Sequence, residues 1–176
     1  QGRWQDAERL FGSLDLNRDV YGNLKLAVFH VRRSDLAAAS VRVAKALEID
    51  PLDFGALLFN GGLHLLAGRY YEAIRSLRIA SEERPTSSAV YTNMAVAYAR
   101  LGLREKAMVS LKKAVALAPL NATAVFLLAD FAFEYGRDED AVPGLRYLLE
   151  FEQKLPEGWA RLARGSLRLG DTDTAI

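Results

Sequence analysis

His30 and His64 are the only histidines in the chain, and they stand 34 residues apart. Two imidazoles at equivalent places could ligate a metal ion or supply a general base. A zinc ion needs its ligands about 2 Å away. Equivalent residues on neighbouring helices sit roughly 8 to 10 Å apart, so the pair cannot share an ion without further ligands. No cysteine exists to complete a set, and no neighbouring carboxylate supplies one. Core packing is the better reading of both. The acidic runs Glu82-Glu83 and Asp138-Glu139-Asp140 fall at expected helix ends. Solvation and a favourable place in the helix dipole account for them there. Asn121-Ala122-Thr123 fits a glycosylation sequon, at an expected turn. No Gly-rich phosphate loop, HExxH pair or nucleophile elbow is present. The residue types therefore predict no catalytic residue, no metal and no cofactor, and the chain is not read as an enzyme. One constellation remains: Arg161, Arg164 and Arg168 recur at helical spacing and could fix an acidic group.

The elements that would carry these residues belong to a folded chain. Of its 176 residues 51% are hydrophobic and 26% charged, outside the range of disordered segments. Lys and Arg number 23 against 22 Asp and Glu, a net charge of +1, which argues against nucleic acid or anionic membrane as partner. No apolar run approaches the roughly 18 to 20 residues of a membrane-spanning helix. The start, QGRWQDAERL, is a charged amphipathic segment, and both ends fall inside the pattern described next. The chain is expected to be part of something longer. A cysteine-free composition names no compartment.

Gly68, Gly102, Gly136 and Gly170 are each 34 residues after the last. Ala73, Ala107, Ala141 and Ala175 keep the same step, five residues behind their glycines. Ala39 extends that series backwards, with Ser34 where its glycine would stand. Pro51, Pro85 and Pro119 hold the identical spacing. Three series in one register mark a repeat. Its best copy runs Tyr91, Met94, Ala95, Tyr98, Gly102, Ala107, Leu111, Ala114 and Pro119. This resembles the tetratricopeptide repeat, a helix hairpin with a Gly turn and a closing Pro. Glycine suits the left-handed residue that ends the first helix, and proline cannot continue the second. Small residues at Ala27, Gly61, Ala95, Ala129 and Ala163 would let the two helices approach closely.

The resemblance implies an all-α fold, a right-handed superhelical solenoid of antiparallel helix hairpins with a 34-residue repeat. A single array over 1–176 is expected. Full repeats fall at 20–53, 54–87, 88–121 and 122–155. Residues 1–19 give a partial repeat, the second helix of a hairpin (Gly2, Trp4, Ala7, Phe11), and 156–176 another. The second helix of the fourth repeat contains Pro143-Gly144 and closes on Gln153, so a kink or shift is expected there. The position of His30 and His64 is one the family usually gives to a core Tyr, as at Tyr98.

In the family the concave wall is built by first helices. The corresponding places here are Leu24, Lys25, Val28 and Arg32, then Leu58, Phe59, Gly62 and Leu65. Thr92, Asn93, Val96 and Arg100 follow, with Phe126, Leu127, Asp130, Phe133 and Glu134 after them. Glu157, Arg161, Arg164 and Arg168 complete the wall. The expected partner site comprises Leu58, Phe59, Leu65, Asn93, Arg100, Phe126, Asp130, Phe133, Arg161, Arg164 and Arg168. Its phenylalanines exceed what packing between hairpins requires, and an exposed apolar patch marks an interaction site. The arginines either fix an acidic group or pair along the wall, Arg168 with Glu134 and Arg164 with Asp130. Arg161, facing Leu127, is expected to be the freer. The implied function is a scaffold or adaptor holding a partner protein's peptide or helix in this groove. A structural spacer within a longer array, or a self-association module acting through the C-terminal end, are the alternatives. Leu162 and Leu169 are expected to be more exposed at that end than their counterparts in earlier repeats.

Overall fold

The computed structural model describes residues 19–171. The partial repeat placed at 1–19 therefore lies outside them except for Asp19, as does Ala175. Two compact units divide the chain, the first ending at Pro85 and the second starting at Thr86. Among the described residues all regular structure is α-helix. The first unit contains α1 (Val20–Arg32), α2 (Leu36–Ile49), α3 (Phe54–Leu66) and α4 (Tyr70–Glu83). The second contains α5 (Ser88–Arg100), α6 (Arg104–Leu117), α7 (Ala122–Glu134), α8 (Asp138–Phe151) and α9 (Pro156–Arg168). Successive helices pack as hairpins, so the chain is an all-α solenoid of the tetratricopeptide type.

The starts and stops follow from local chemistry. Asp19, Asp35 and Asp53 accept hydrogen bonds from the backbone N–H groups of Gly22, Ala38 and Ala56, at 2.9, 2.9 and 2.7 Å. Each satisfies an orphan donor of a first turn. Asn121 caps α7 the same way, accepting from the Ala124 N–H at 3.3 Å, which accounts for the sequon residue structurally. Odd-numbered helices end where Gly68, Gly102, Gly136 and Gly170 take φ near +70° (+71, +72, +67 and +76°). Ser34 adopts φ 60° at the same place without being glycine. The residue after each of the five donates its N–H back to the carbonyl five positions earlier, as from Leu103 to Tyr98 at 2.9 Å.

Packing inside the hairpins uses the small residues. Ala27, Ala129 and Ala95 are buried to 1% exposure or less. Gly61 faces Leu77 so closely that an added Cβ would stand 2.6 Å from its Cγ. In the first unit Ala27, Ala39, Val43 and Leu63 form a core, with Leu24 and Phe59 against it. In the second, Met108, Val125, Leu128, Leu145, Leu149 and Leu162 share one larger core. Leu162 is 5% exposed, against expectation, because α7 and α8 already cover it; Leu169 is exposed as expected.

The kink or shift expected at Pro143-Gly144 does not move the helix out of register. α8 runs unbroken from Asp138 to Phe151, with the same 14 residues as α4 and α6. Pro143 lies on its exposed side, while Gly144 packs between Val115 and Val125. Fully buried Leu145 and Leu148 hold the helix down, offsetting the lost hydrogen bond.

Among the described residues no group of three or more His, Asp or Glu side chains is gathered around either histidine. His30 Nδ1 lies 3.9 Å from Asp35 Oδ2, and its ring meets Phe29 edge-on. His64 Nδ1 is buried without a hydrogen-bond partner. Burial, with Arg69 beside it, pushes the His64 imidazole below its usual pKa. The unfolded chain then takes up the proton first as pH falls. Above pH ~6.5 both states are neutral at this group. Stability should decline from there down to the lower folded value, then level off. Urea unfolding at pH 8 and pH 5.5 checks this: His64→Tyr, copying Tyr98 one repeat later, should lose that part of the dependence.

Candidate functional site

The residues expected from sequence to line a wall lie on first helices of both units. In the second unit, α9 decides the fate of the aromatic residues on α7. Phe126 and Phe133 are seven residues apart, and so are Gly158 and Gly165. A Cβ at Gly158 would meet Phe126 Cε1 at 3.3 Å and Leu149 Cδ2 at 2.9 Å. One at Gly165 would meet Phe133 Cε1 at 3.0 Å and Val142 Cγ2 at 2.8 Å. The two glycines are holes into which the two rings fit. Phe133 is consequently 3% exposed and belongs to the core, and Phe126 is half-buried against it. The expectation that both project into an open groove is corrected for Phe133.

The arginines of α9 close over these rings. Arg161 lies 4.6 Å from the Phe126 centroid, Arg164 5.1 Å and Arg168 5.9 Å from that of Phe133. Arg161 is also the most engaged of the three, contrary to expectation. Its Nε and Nη2 donate to the two carboxylate oxygens of Asp130, each at 2.8 Å, and Nη1 donates to the Glu157 carbonyl. That bidentate bond raises the Arg161 pKa further above its usual value. With both side chains partly exposed, the pair contributes little to stability and much to geometry.

Arg168 reaches past Glu134. Its Nη1 donates to the Phe133 carbonyl at 3.0 Å, and its Nε stands 3.2 Å from Asp138 Oδ1. Asp138 is 8% exposed, so the acidic run is not simply solvated. Asp140 pairs with Lys112 at 2.5 Å and Arg137 at 3.0 Å, leaving Glu139 as its exposed member. Among the described residues Arg164 has no carboxylate at ion-pair distance, and it is exposed. On α5, Arg100 is exposed and Asn93 half-buried, while Thr92 is buried and donates to the Ser88 carbonyl at 2.9 Å.

In the first unit the expected residues lie on α1 and α3. On α3, Phe59 packs on the core, but Leu58 and Leu65 are half-buried outside it. Between them Gly62 is open, with nothing within 4 Å of where a Cβ would stand. Val28 of α1 adds an apolar side chain 41% exposed. Sequence reasoning missed the roles of Gly158, Gly165 and Asp138. The seven-residue spacing of the glycines, matching that of the phenylalanines, was the available signal.

The family model for the tetratricopeptide repeat matches residues 88–119. No curated protein matches the chain by sequence. Among solved structures, the chain is similar to pilF of Pseudomonas aeruginosa, at 20% identity and TM-score 0.82, covering 99% of this chain and 80% of that one. It is similar to MamA (41-end) of Desulfovibrio magneticus RS-1, at 20% identity and TM-score 0.75, covering 88% and 89%. It is also similar to YrrB, described as a TPR protein with an unusual peptide-binding site, at 17% identity and TM-score 0.68, covering 90% and 82%. The shared feature is the fold, which is typically a non-catalytic scaffold for protein–protein interaction. Among the described residues no helix is long and apolar enough to cross a membrane.

Proposed function

We propose that this chain, a tetratricopeptide-repeat protein, binds a segment of a partner protein, with the face of α3 that carries Leu58, Gly62 and Leu65 as the anchor. Gly62 carries the reading. Glycine in a helix interior costs about 1 kcal/mol relative to alanine. Gly61 has an internal reason for that cost, its contact with Leu77. Gly62 has none, since the space beside it is empty. A partner side chain or backbone approaching between Leu58 and Leu65 supplies the missing reason, with Val28 extending the apolar face. Taken by itself, the second unit offers Arg100 and Arg164 as exposed cations for acidic groups of a partner, and Asn93 as a polar contact. Phe133 belongs to the core, and Arg161 and Arg168 are held by Asp130, Asp138 and the Phe133 carbonyl. The peptide-binding site named for YrrB is in keeping with this reading.

The test uses peptides selected from a displayed library on the full chain. Gly62→Ala should raise fold stability by up to about 1 kcal/mol yet weaken the selected peptides at least tenfold. Leu58→Ala and Leu65→Ala should each cost roughly 1 to 3 kcal/mol of binding. If no peptide is sensitive to these changes, the spacer alternative takes over. Concentration-dependent assembly in sedimentation that Leu169→Glu abolishes would instead favour self-association through the C-terminal end.

A further inference from the structure

The C-terminal half of α8 carries two large aromatic side chains that the fold leaves in the open. Tyr147 is 45% exposed and Phe151 59%, one helical turn apart, with ring centroids 5.2 Å from each other. They lie on the side of α8 opposite Leu145 and Leu149, which are buried. The helices packed on α8 are α7 and α9, with α6 touching it at Asp140 and Gly144, and all belong to the second unit. Trp159, exposed on α9, is tied to the turn after Phe151 by its bond to the Gln153 carbonyl. Elsewhere the chain covers its own rings. A lysine or arginine stands 4.1 to 5.8 Å from the centroids of Tyr21, Phe54, Tyr91, Tyr98 and Tyr135. The residue one repeat before Tyr147 is Lys113, the cation over Tyr91. Among the described residues no cation lies over Tyr147, Phe151 or Trp159. Arg146, next to Tyr147 in the chain, turns to Asp171 instead. Glu150 and Glu152, exposed on either side of Phe151 in the chain, have no cation at ion-pair distance among the described residues. The last turn of α8 holds no basic residue, so no side chain there meets the negative end of its dipole.

We propose that this end of α8 is a docking site, separate from the α3 face, for a basic segment of a partner protein that presents an arginine to Tyr147 and Phe151. Charge and ring chemistry choose the occupant together. The face of an aromatic ring carries the negative part of its quadrupole and attracts a cation. A guanidinium lies flat on such a ring while its edge still donates to a carboxylate, which Glu150 or Glu152 supplies. The chain builds this arrangement internally where Arg161 rests on Phe126 and donates to Asp130. At the end of α8 the rings and the acids are in place, and the arginine comes from the partner. The same carboxylates repel nucleic acid and anionic lipid. A wholly apolar partner would strand them without a counter-charge.

The experiment selects displayed peptides on the full chain and discards those that also bind a Tyr147→Ala, Phe151→Ala double variant. Both positions are exposed, and a thermal melt checks that the double variant stays folded. The peptides kept should share an arginine, and replacing it with glutamine should weaken each about fivefold or more. Glu150→Lys with Glu152→Lys should weaken the same peptides at least as far. Tyr147→Phe, which keeps the ring, should leave them unchanged. Amide shifts on adding such a peptide should centre on Tyr147, Glu150 and Phe151, and the Trp159 indole N–H should move with them. Gly62→Ala, on the α3 face, should change nothing, so failure at one site does not decide the other. The proposal is overturned if no peptide survives the subtraction, or if the survivors tolerate loss of their arginine. It also falls if neutral-lipid vesicles, or a second copy of the chain in sedimentation, bind through Tyr147 and Phe151 instead.

Discussion

Replacing Phe133 by Ala is expected to destabilise the second unit by about 3 to 5 kcal/mol. The ring is 3% exposed, seated against Gly165 and under the guanidinium groups of Arg164 and Arg168. Removing it would leave a cavity that its neighbours cannot fill, because Gly165 has no side chain to move and Val142 is itself packed against that glycine. The loss also takes away the surface on which two arginines rest, so α9 should loosen first. Urea unfolding followed by tryptophan emission suits the question, since Trp159 lies on α9 and donates its indole N–H to the Gln153 carbonyl. Phe126→Ala should cost less, because that ring is only half-buried. A loss below about 1 kcal/mol at Phe133, with binding of selected peptides abolished, would return it to the groove.

The fold was legible because a repeat writes its constraints many times. Four glycines 34 residues apart predict four left-handed turns, and all four carry positive φ. The wall was less legible because position within a repeat says which helix face a residue occupies, not what the next helix brings to it. Phe133 occupies a place the family uses for binding, yet Gly165 one hairpin later turns it into core. The arginines show the same limit. Rows of equal position paired Asp130 with Arg164 and left Arg161 free. The observed partner of Asp130 is Arg161, three residues nearer the helix start than Arg164. An arginine side chain spans a helical turn of about 5.4 Å, so pairing by row is unreliable for long side chains. Asp138 reads from sequence only as part of a solvated acidic run, because its partner Arg168 lies on another helix.

The two neighbouring glycines of α3 give the second large effect, and they should respond in opposite directions. Gly61→Ala places a methyl 2.6 Å from Leu77 Cγ and 2.7 Å from its Cδ2. Leu77 is fully buried, so it cannot swing out of the way, and α3 and α4 must part. Overpacking of this kind costs about 1 to 3 kcal/mol, from which the better helix propensity of alanine subtracts about 1. A larger residue, as in Gly61→Val, should unfold the hairpin outright. Gly62→Ala meets nothing within 4 Å, so only the propensity term remains and the melting temperature should rise. Thermal melts of the two single variants decide the matter without any ligand. If Gly61→Ala proved neutral, the close approach of α3 to α4 would be softer than its geometry indicates. If Gly62→Ala proved destabilising, an internal contact would explain the glycine, and the case for a partner seated beside it would lose its main support.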